Sequence, residues 1–188
     1  MSADAPQSTG RESDEAARVQ ALLDERARAL AKPIIERRDT SDDIDVVLFA
    51  LRPETYAIEC RYVRAIGRSD GIAVIPGTPV FVAGVVRIRS EIHSVFDLRV
   101  LLGGPRQPLT SDAKIIAVGE QRIEFCLLVD DVAEIAILSA RDVHTRAMPE
   151  DQGGYSFIRG VTAGAVQVLD AAAMLRDENL YVGGIGHI

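Results

Sequence analysis

The feature that most constrains this chain is a change of hydrophobic period at Ile44. Upstream, Val19, Leu22, Leu23, Leu30 and Ile34 recur at helical spacing between arginines and acids. Downstream, short runs rich in Val and Ile predict strands at Ile44–Leu51, Thr55–Glu59, Val80–Arg89, Glu91–Phe96, Lys114–Val118, Arg122–Val129, Val132–Leu138, Phe157–Val161 and Ala165–Leu169. Turn signals separate them: Arg52-Pro53-Glu54, Asp70-Gly71, Pro76-Gly77, Gly103-Gly104-Pro105, Gly119-Glu120-Gln121 and Gln152-Gly153-Gly154. Strands spaced roughly 8–12 residues apart predict an all-β barrel or sandwich rather than a parallel α/β sheet. Two stretches break the pattern, Asp97–Leu102 and Asp170–Leu175. Each opens on Asp and continues in helix formers, so each is predicted as a short capped helix. The strand-then-capped-helix unit thus occurs twice, 73 residues apart, as two half-domains of similar build would produce.

Residues 1–12 carry few apolar groups and are expected to be disordered. Residues 13–43 are expected to form a helical arm and linker. Ser13 is the predicted N-cap, Asp14 and Glu15 suit the positive helix end, and Pro33 ends the helix near Lys32. A helix with one thin apolar stripe has to dock on its own domain or on a partner. The remainder divides into a domain at 44–176 and a glycine-rich tail at 177–188.

Net charge is −7, which disfavours a nucleic-acid binder held by phosphate neutralisation. No apolar run approaches the roughly 20 residues of a membrane helix, and the N-terminus has no signal-peptide apolar region. Cys60 and Cys126 lie far apart, and the expectation is reduced thiols in a cytoplasmic protein. The histidines 93, 144 and 187 make no metal-ligand spacing, neither cysteine has a Cys-x-x-Cys partner, and there is no nucleophile elbow. Gly183-Gly184-Ile185-Gly186 lacks the helix a dinucleotide fingerprint needs. Asp130 and Asp131 are adjacent and fit a turn. His93 is read as a solvent-facing strand residue, and His144 as exposed in a connecting turn. No catalytic, cofactor or metal site is expected.

The densest stretch is Thr78–Gly103, TPVFVAGVVRIRSEIHSVFDLRVLLG. By the period-two rule Arg87 and Arg89 share one strand face, and Val86 and Ile88 the other. Such a pair is either the solvated end of a half-buried strand or a protein-contact device, since guanidinium forks bond directionally and stack on apolar surface.

At this stretch the chain resembles the CheW-like family of chemotaxis adaptor proteins. The likeness runs from Val46–Ala50 through Tyr56-Ala57-Ile58, Val63, Ile66, Val74–Gly77 and Pro79–Val86. The family pattern G-V-x-N-L-R-G-x-I-x-P-V-x-D-L-R stands here as GVVRIRSEIHSVFDLR, Gly84 to Arg99. Phe125–Ile135 and Phe157–Leu175 complete the match. The resemblance implies two intertwined five-stranded SH3-like β-barrels with short helical turns and a groove between them, plus the N-terminal helical extension. It implies a non-catalytic, cofactor-free adaptor between the cytoplasmic tip of chemoreceptors and the regulatory domain of a CheA-type histidine kinase. The place would be the cytoplasm, at the membrane only through receptor arrays. The expected partner-binding residues are Val63, Phe81, Val85, Arg87, Ile88 and Arg89, with Arg89 at the pattern's receptor-contacting arginine.

The departures carry information. Arg87 replaces the pattern's Asn, Ser90 its Gly and Ser94 its Pro, and Ala65 stands where an acid is common. Ser90 matters if that turn needs φ > 0. Arg87 and Ala65 both move the surface toward positive. A second reading keeps the fold but makes the chain a regulatory or oligomerising module, its N-terminal helix modulating partner binding. A small-molecule or enzymatic barrel has no supporting residue cluster.

Overall fold

The computed structural model describes residues 42–108, 110, 112–145 and 157–181. The expected disordered start, the helical arm up to residue 41 and the tail from 182 lie outside the described residues, as does His187. In chain order the strands are β1 (Asp43–Leu51), β2 (Glu54–Glu59), β3 (Val63–Arg68), β4 (Val82–Ile88), β5 (Glu91–Asp97), β6 (Lys114–Val118), β7 (Phe125–Val129), β8 (Asp131–Ser139), β9 (Val143–His144), β10 (Ile158–Thr162) and β11 (Gln167–Leu169). Helix α1 (Leu98–Leu101) follows β5, and α2 (Ala171–Arg176) follows β11.

These strands make two sheets, ordered β8-β1-β2-β11-β10-β9 and β3-β6-β7-β5-β4. Pairing is antiparallel throughout except β2 with β11 and β5 with β7. The first sheet has six strands where five were expected, because the two-residue β9 pairs with the end of β10. The described residues are mostly strand, in two sheets, the all-β class that the sequence predicts.

The reason β7 reads FCLLV without a polar residue is that it has no solvent face. Phe125, Leu127 and Val129 enter a large core that also takes Val47, Phe49, Tyr56 and Ile58 from the other sheet. The intervening Cys126 and Leu128 enter a second core with Val86, Val95, Ile115 and Ala117. β6 divides the same way, Ile116 and Val118 to the shared core, Ile115 and Ala117 to the second. β1 and β2 send Val46 and Ala57 to a third core with Val168. Each sheet therefore has a core of its own, and a third is shared between them. Each fully buried Leu, Ile or Phe stabilises by about 1.5–3 kcal/mol, so alternation on both faces binds the two halves into one unit.

Both capped helices form as predicted. Asp97 accepts from the Val100 amide at 3.4 Å, and Asp170 from the Ala173 amide at 2.8 Å. The packed chain continues past 176, where Leu180 is buried and the Tyr181 hydroxyl donates to the Leu175 carbonyl at 2.8 Å.

Where the sheets meet, one carboxylate orders the β1–β2 turn. Asp130 Oδ2 accepts from the Arg52 amide at 2.7 Å and from Arg99 at 2.8 Å, and Arg99 also donates to the Arg52 carbonyl at 2.9 Å. Asp130 is thus a turn residue, as its sequence context predicts, and Asp131 opens β8.

Several boundaries differ from the sequence reading. The strand predicted at Val80–Arg89 starts at Val82 and stops at Ile88, because Arg89 takes φ 58° in the hairpin turn. The strand predicted to begin at Arg122 begins at Phe125, and that predicted to begin at Ala165 begins at Gln167, since Ala165 sits at φ 60°. β3 was not anticipated. His144 is exposed as expected, but it pairs with Val161 in β9 rather than lying in a plain turn.

Candidate functional site

The β4–β5 hairpin is built on one glycine. Gly84 adopts φ 149° at a bulge in β4, and a Cβ there would fall 2.3 Å from the Ala73 carbonyl oxygen. No other residue type fits so close a crossing. The neighbouring Val85 exchanges both backbone hydrogen bonds with Ala73, at 2.8 and 2.9 Å, which fixes the strand against the 72–74 segment. From there the register runs Val86–His93, Arg87–Ile92 and Ile88–Glu91, leaving Arg89 and Ser90 as the two-residue turn. The positive φ falls on Arg89 and not on Ser90, so the serine at the pattern's glycine carries no left-handed strain.

This turn separates the two arginines that the sequence placed on one face. Arg87 lies inside β4 on the outer, exposed side, opposite exposed Ile92. Arg89 lies beyond the strand end and lines a groove of about 390 Å³. The expected ridge of two arginines on one strand face is thus corrected, for a reason of backbone geometry: period two applies only while the strand lasts.

The groove runs between β3, the hairpin and the β6–β7 loop. β3 contributes Arg64 and Ala65; the hairpin contributes Ile88, Arg89, Ser90, Glu91 and His93; the loop contributes Gln121, Arg122 and Ile123. Arg64 donates to the Arg61 carbonyl, and Arg122 lies 3.5 Å from Glu124. Among the described residues, Arg87 and Arg89 make no ion pair or side-chain hydrogen bond. Ile88 packs against the second core together with Ala65 and Ile123, giving the groove an apolar side beside its guanidinium groups.

Of the six residues expected to bind a partner, only Ile88 and Arg89 line this groove. Phe81 packs edge-on against Phe96 with ring centroids 5.8 Å apart, and it and Val63 are half-buried against the shared core. Val85 is half-buried beside Ala73.

His93 corrects another expectation. It is 7% exposed, not solvent-facing, because β5 turns His93 and Val95 inward while Ile92 stands 63% exposed. Its Nε2 has no hydrogen-bond partner among the described residues; the Glu91 carboxylate stands 3.6 Å away, beyond hydrogen-bond reach. Leaving a buried polar atom unpaired costs on the order of 1–3 kcal/mol. Polarity misled the sequence reading here, whereas strict alternation with Val95 would have placed His93 correctly. Arg64 and Arg122 were missed because neither stands in a recognisable motif, and β3 exposes Ile66 where an alternating strand would show a polar residue.

The described residues hold no group of three or more His, Cys, Asp or Glu that could bind a metal. Burial pushes the Cys126 thiol up to about 12, which removes it as a nucleophile.

Comparison with known proteins decides the family. The CheW-like domain matches residues 45–179. The chain belongs to the CheW-like family. It is 24% identical over 100 residues to the chemotaxis protein CheW of Bacillus subtilis, covering 53% of this chain and 64% of that one. It is 26% identical over 125 residues to the chemotaxis protein CheW of Rhizobium meliloti, covering 66% and 80%. The chain therefore spans just under two thirds of the Bacillus relative's length and most of the Rhizobium one. The crystal structure of the scaffolding protein TtCheW from Thermoanaerobacter tengcongensis superposes with a TM-score of 0.59 at 23% identity, over 67% of this chain and 88% of that one. That likeness supports the CheW fold for the two sheets described above.

Proposed function

We propose that this CheW-like chain is a chemosensory adaptor. It couples the cytoplasmic tip of chemoreceptors to the regulatory domain of a CheA-type histidine kinase by protein–protein contact, without catalysis or cofactor. It works in the cytoplasm and reaches the membrane through receptor arrays; no helix among the described residues is long and apolar enough to cross a membrane. The coupling unit is the domain at 44–176, and its partner-facing residues centre on Ile88 and Arg89, with Val63, Phe81, Val85 and Arg87 around them.

The observation that carries this reading is the family match across residues 45–179, joined to a groove where apolar and guanidinium groups stand side by side. Apolar contact supplies affinity and charged groups supply orientation and selectivity. The test is reconstitution of receptor-bearing membranes with the kinase, with and without the full chain. Receptor-dependent change of kinase autophosphorylation only when the chain is present is the expected result. A kinase indifferent to its addition overturns the reading. Deleting residues 1–40 separates the two roles: the adaptor retains coupling, whereas a regulatory module changes it.

A further inference from the structure

We propose that the groove between β3, the β4–β5 hairpin and the β6–β7 loop is a carboxylate socket, filled by an acidic side chain of the docking protein. This rests on the adaptor reading and adds the chemistry of the group bound. Three arginines from three separate elements, Arg64, Arg89 and Arg122, line one space whose lining holds a single carboxylate, Glu91. Arg122 also lies 3.5 Å from Glu124 beside the groove, so the uncompensated charge centres on Arg89 and Arg64. The chain as a whole carries −7, so the groove reverses the sign of the protein around it. Like charges gathered in one concavity repel unless an anion joins them, and a carboxylate matches the planar guanidinium fork in a way that water does not.

Two further observations point the same way. Arg89 sits at φ 58°, a backbone region uncommon for a residue with a Cβ, so the turn holds an unpaired guanidinium in place against a local conformational cost. Buried His93 lines the same groove with an unsatisfied Nε2, which donates to an oxygen acceptor when its proton is on that nitrogen. The apolar side, Ala65, Ile88 and Ile123, selects an acid carried on an aliphatic stem over an inorganic anion. Exposed Ile66 and Ile92 stand on the two strands that flank the groove, and such apolar surface suits a macromolecular partner rather than a free metabolite. The departure at Ala65 puts a small neutral residue in this space where the family pattern commonly has an acid.

The experiment uses the full chain and a receptor signalling-tip fragment as probe, with affinity measured by calorimetry at low and high salt. Arg89→Glu, Arg64→Glu and Arg122→Glu are each expected to weaken binding about tenfold or more, and added salt to weaken the wild type. Arg176→Glu, exposed at the end of α2 and outside the groove, is expected to change affinity less than about twofold. Thermal melts identify any variant that fails to fold. Unchanged affinity in folded Arg89→Glu and Arg64→Glu overturns the socket while leaving the adaptor reading standing. A wild type that binds no receptor fragment overturns the adaptor reading itself. The socket is then read from ¹⁵N shifts of His93 and the arginine side chains on titration with glutarate and with inorganic phosphate. A weak response to glutarate, stronger than to phosphate, supports a carboxylate site. No response overturns it, and micromolar glutarate binding assigns the groove to a free dicarboxylate and overturns the protein-borne occupant.

Discussion

Arg89 and Arg99 stand ten residues apart in one signature stretch and have opposite fates. Arg99 is 13% exposed, and its guanidinium is spent on Asp130 and the Arg52 carbonyl, across the junction of the two sheets. Arg89 is exposed in a turn and, among the described residues, bonds to nothing. The same side chain is a fastener in one place and an open hand in the other. What differs is whether the fold brings a carboxylate to it. A closed pair fixes the molecule's shape, whereas an open guanidinium on a rigid hairpin is available to something else.

Breaking the closed member has the largest expected effect on stability. Arg99→Ala leaves Asp130 and the Arg52 carbonyl without their partner and should cost about 2–3 kcal/mol, since hydrogen bonds to charged groups are worth about that much. Denaturant unfolding measures it, and receptor affinity of the folded fraction should be unchanged. Arg89→Ala should reverse the balance, with stability within about 1 kcal/mol of wild type and receptor affinity down about tenfold. If the two variants cost stability equally, the contrast between the arginines fails.

Asp97 sharpens the closed side, because it caps α1, the helix that carries Arg99 as its second residue. Asp97→Ala should cost about 1 kcal/mol through loss of the cap. Burial, only partly offset by the Val100 amide and Arg106, holds its carboxyl above the usual carboxylate range. The native state therefore keeps this proton more tightly than the unfolded chain does. Its contribution to stability is greatest in acid and declines as pH rises from 3.8 through the raised native value. Asp97→Asn, which still caps and never ionises, should flatten that part of the stability–pH curve. The smallest effect is on reactivity alone: half-buried Cys60 should react with a thiol reagent before Cys126, whose burial holds it protonated until the chain opens.

Much of the fold was legible in sequence because alternation and capping are local. The two Asp-led helices, the Val- and Ile-rich runs and the turn before Asp131 all follow from residues within a few positions of each other. β3 escaped because Ile66 faces out and Gly67 faces in, the reverse of the polarity an alternating strand usually shows. His93 and Ile92 repeat that inversion on β5. The groove was legible only at Ile88 and Arg89, since Arg64 and Arg122 reach it through pairings between β3, β6 and β7 that no local pattern encodes. Arg89's departure from Arg87 hinges on a single φ angle at the end of β4, which period two does not reveal.

The most direct test of the account is the mass of the assembly formed by the full chain, a receptor signalling-tip fragment and the kinase regulatory domain, measured by light scattering. The account predicts a ternary complex with wild type and a kinase-only complex with Arg89→Glu, the receptor having been lost from a chain that still folds. A wild type that captures neither protein, or an Arg89→Glu variant that captures both as well as wild type does, would contradict it.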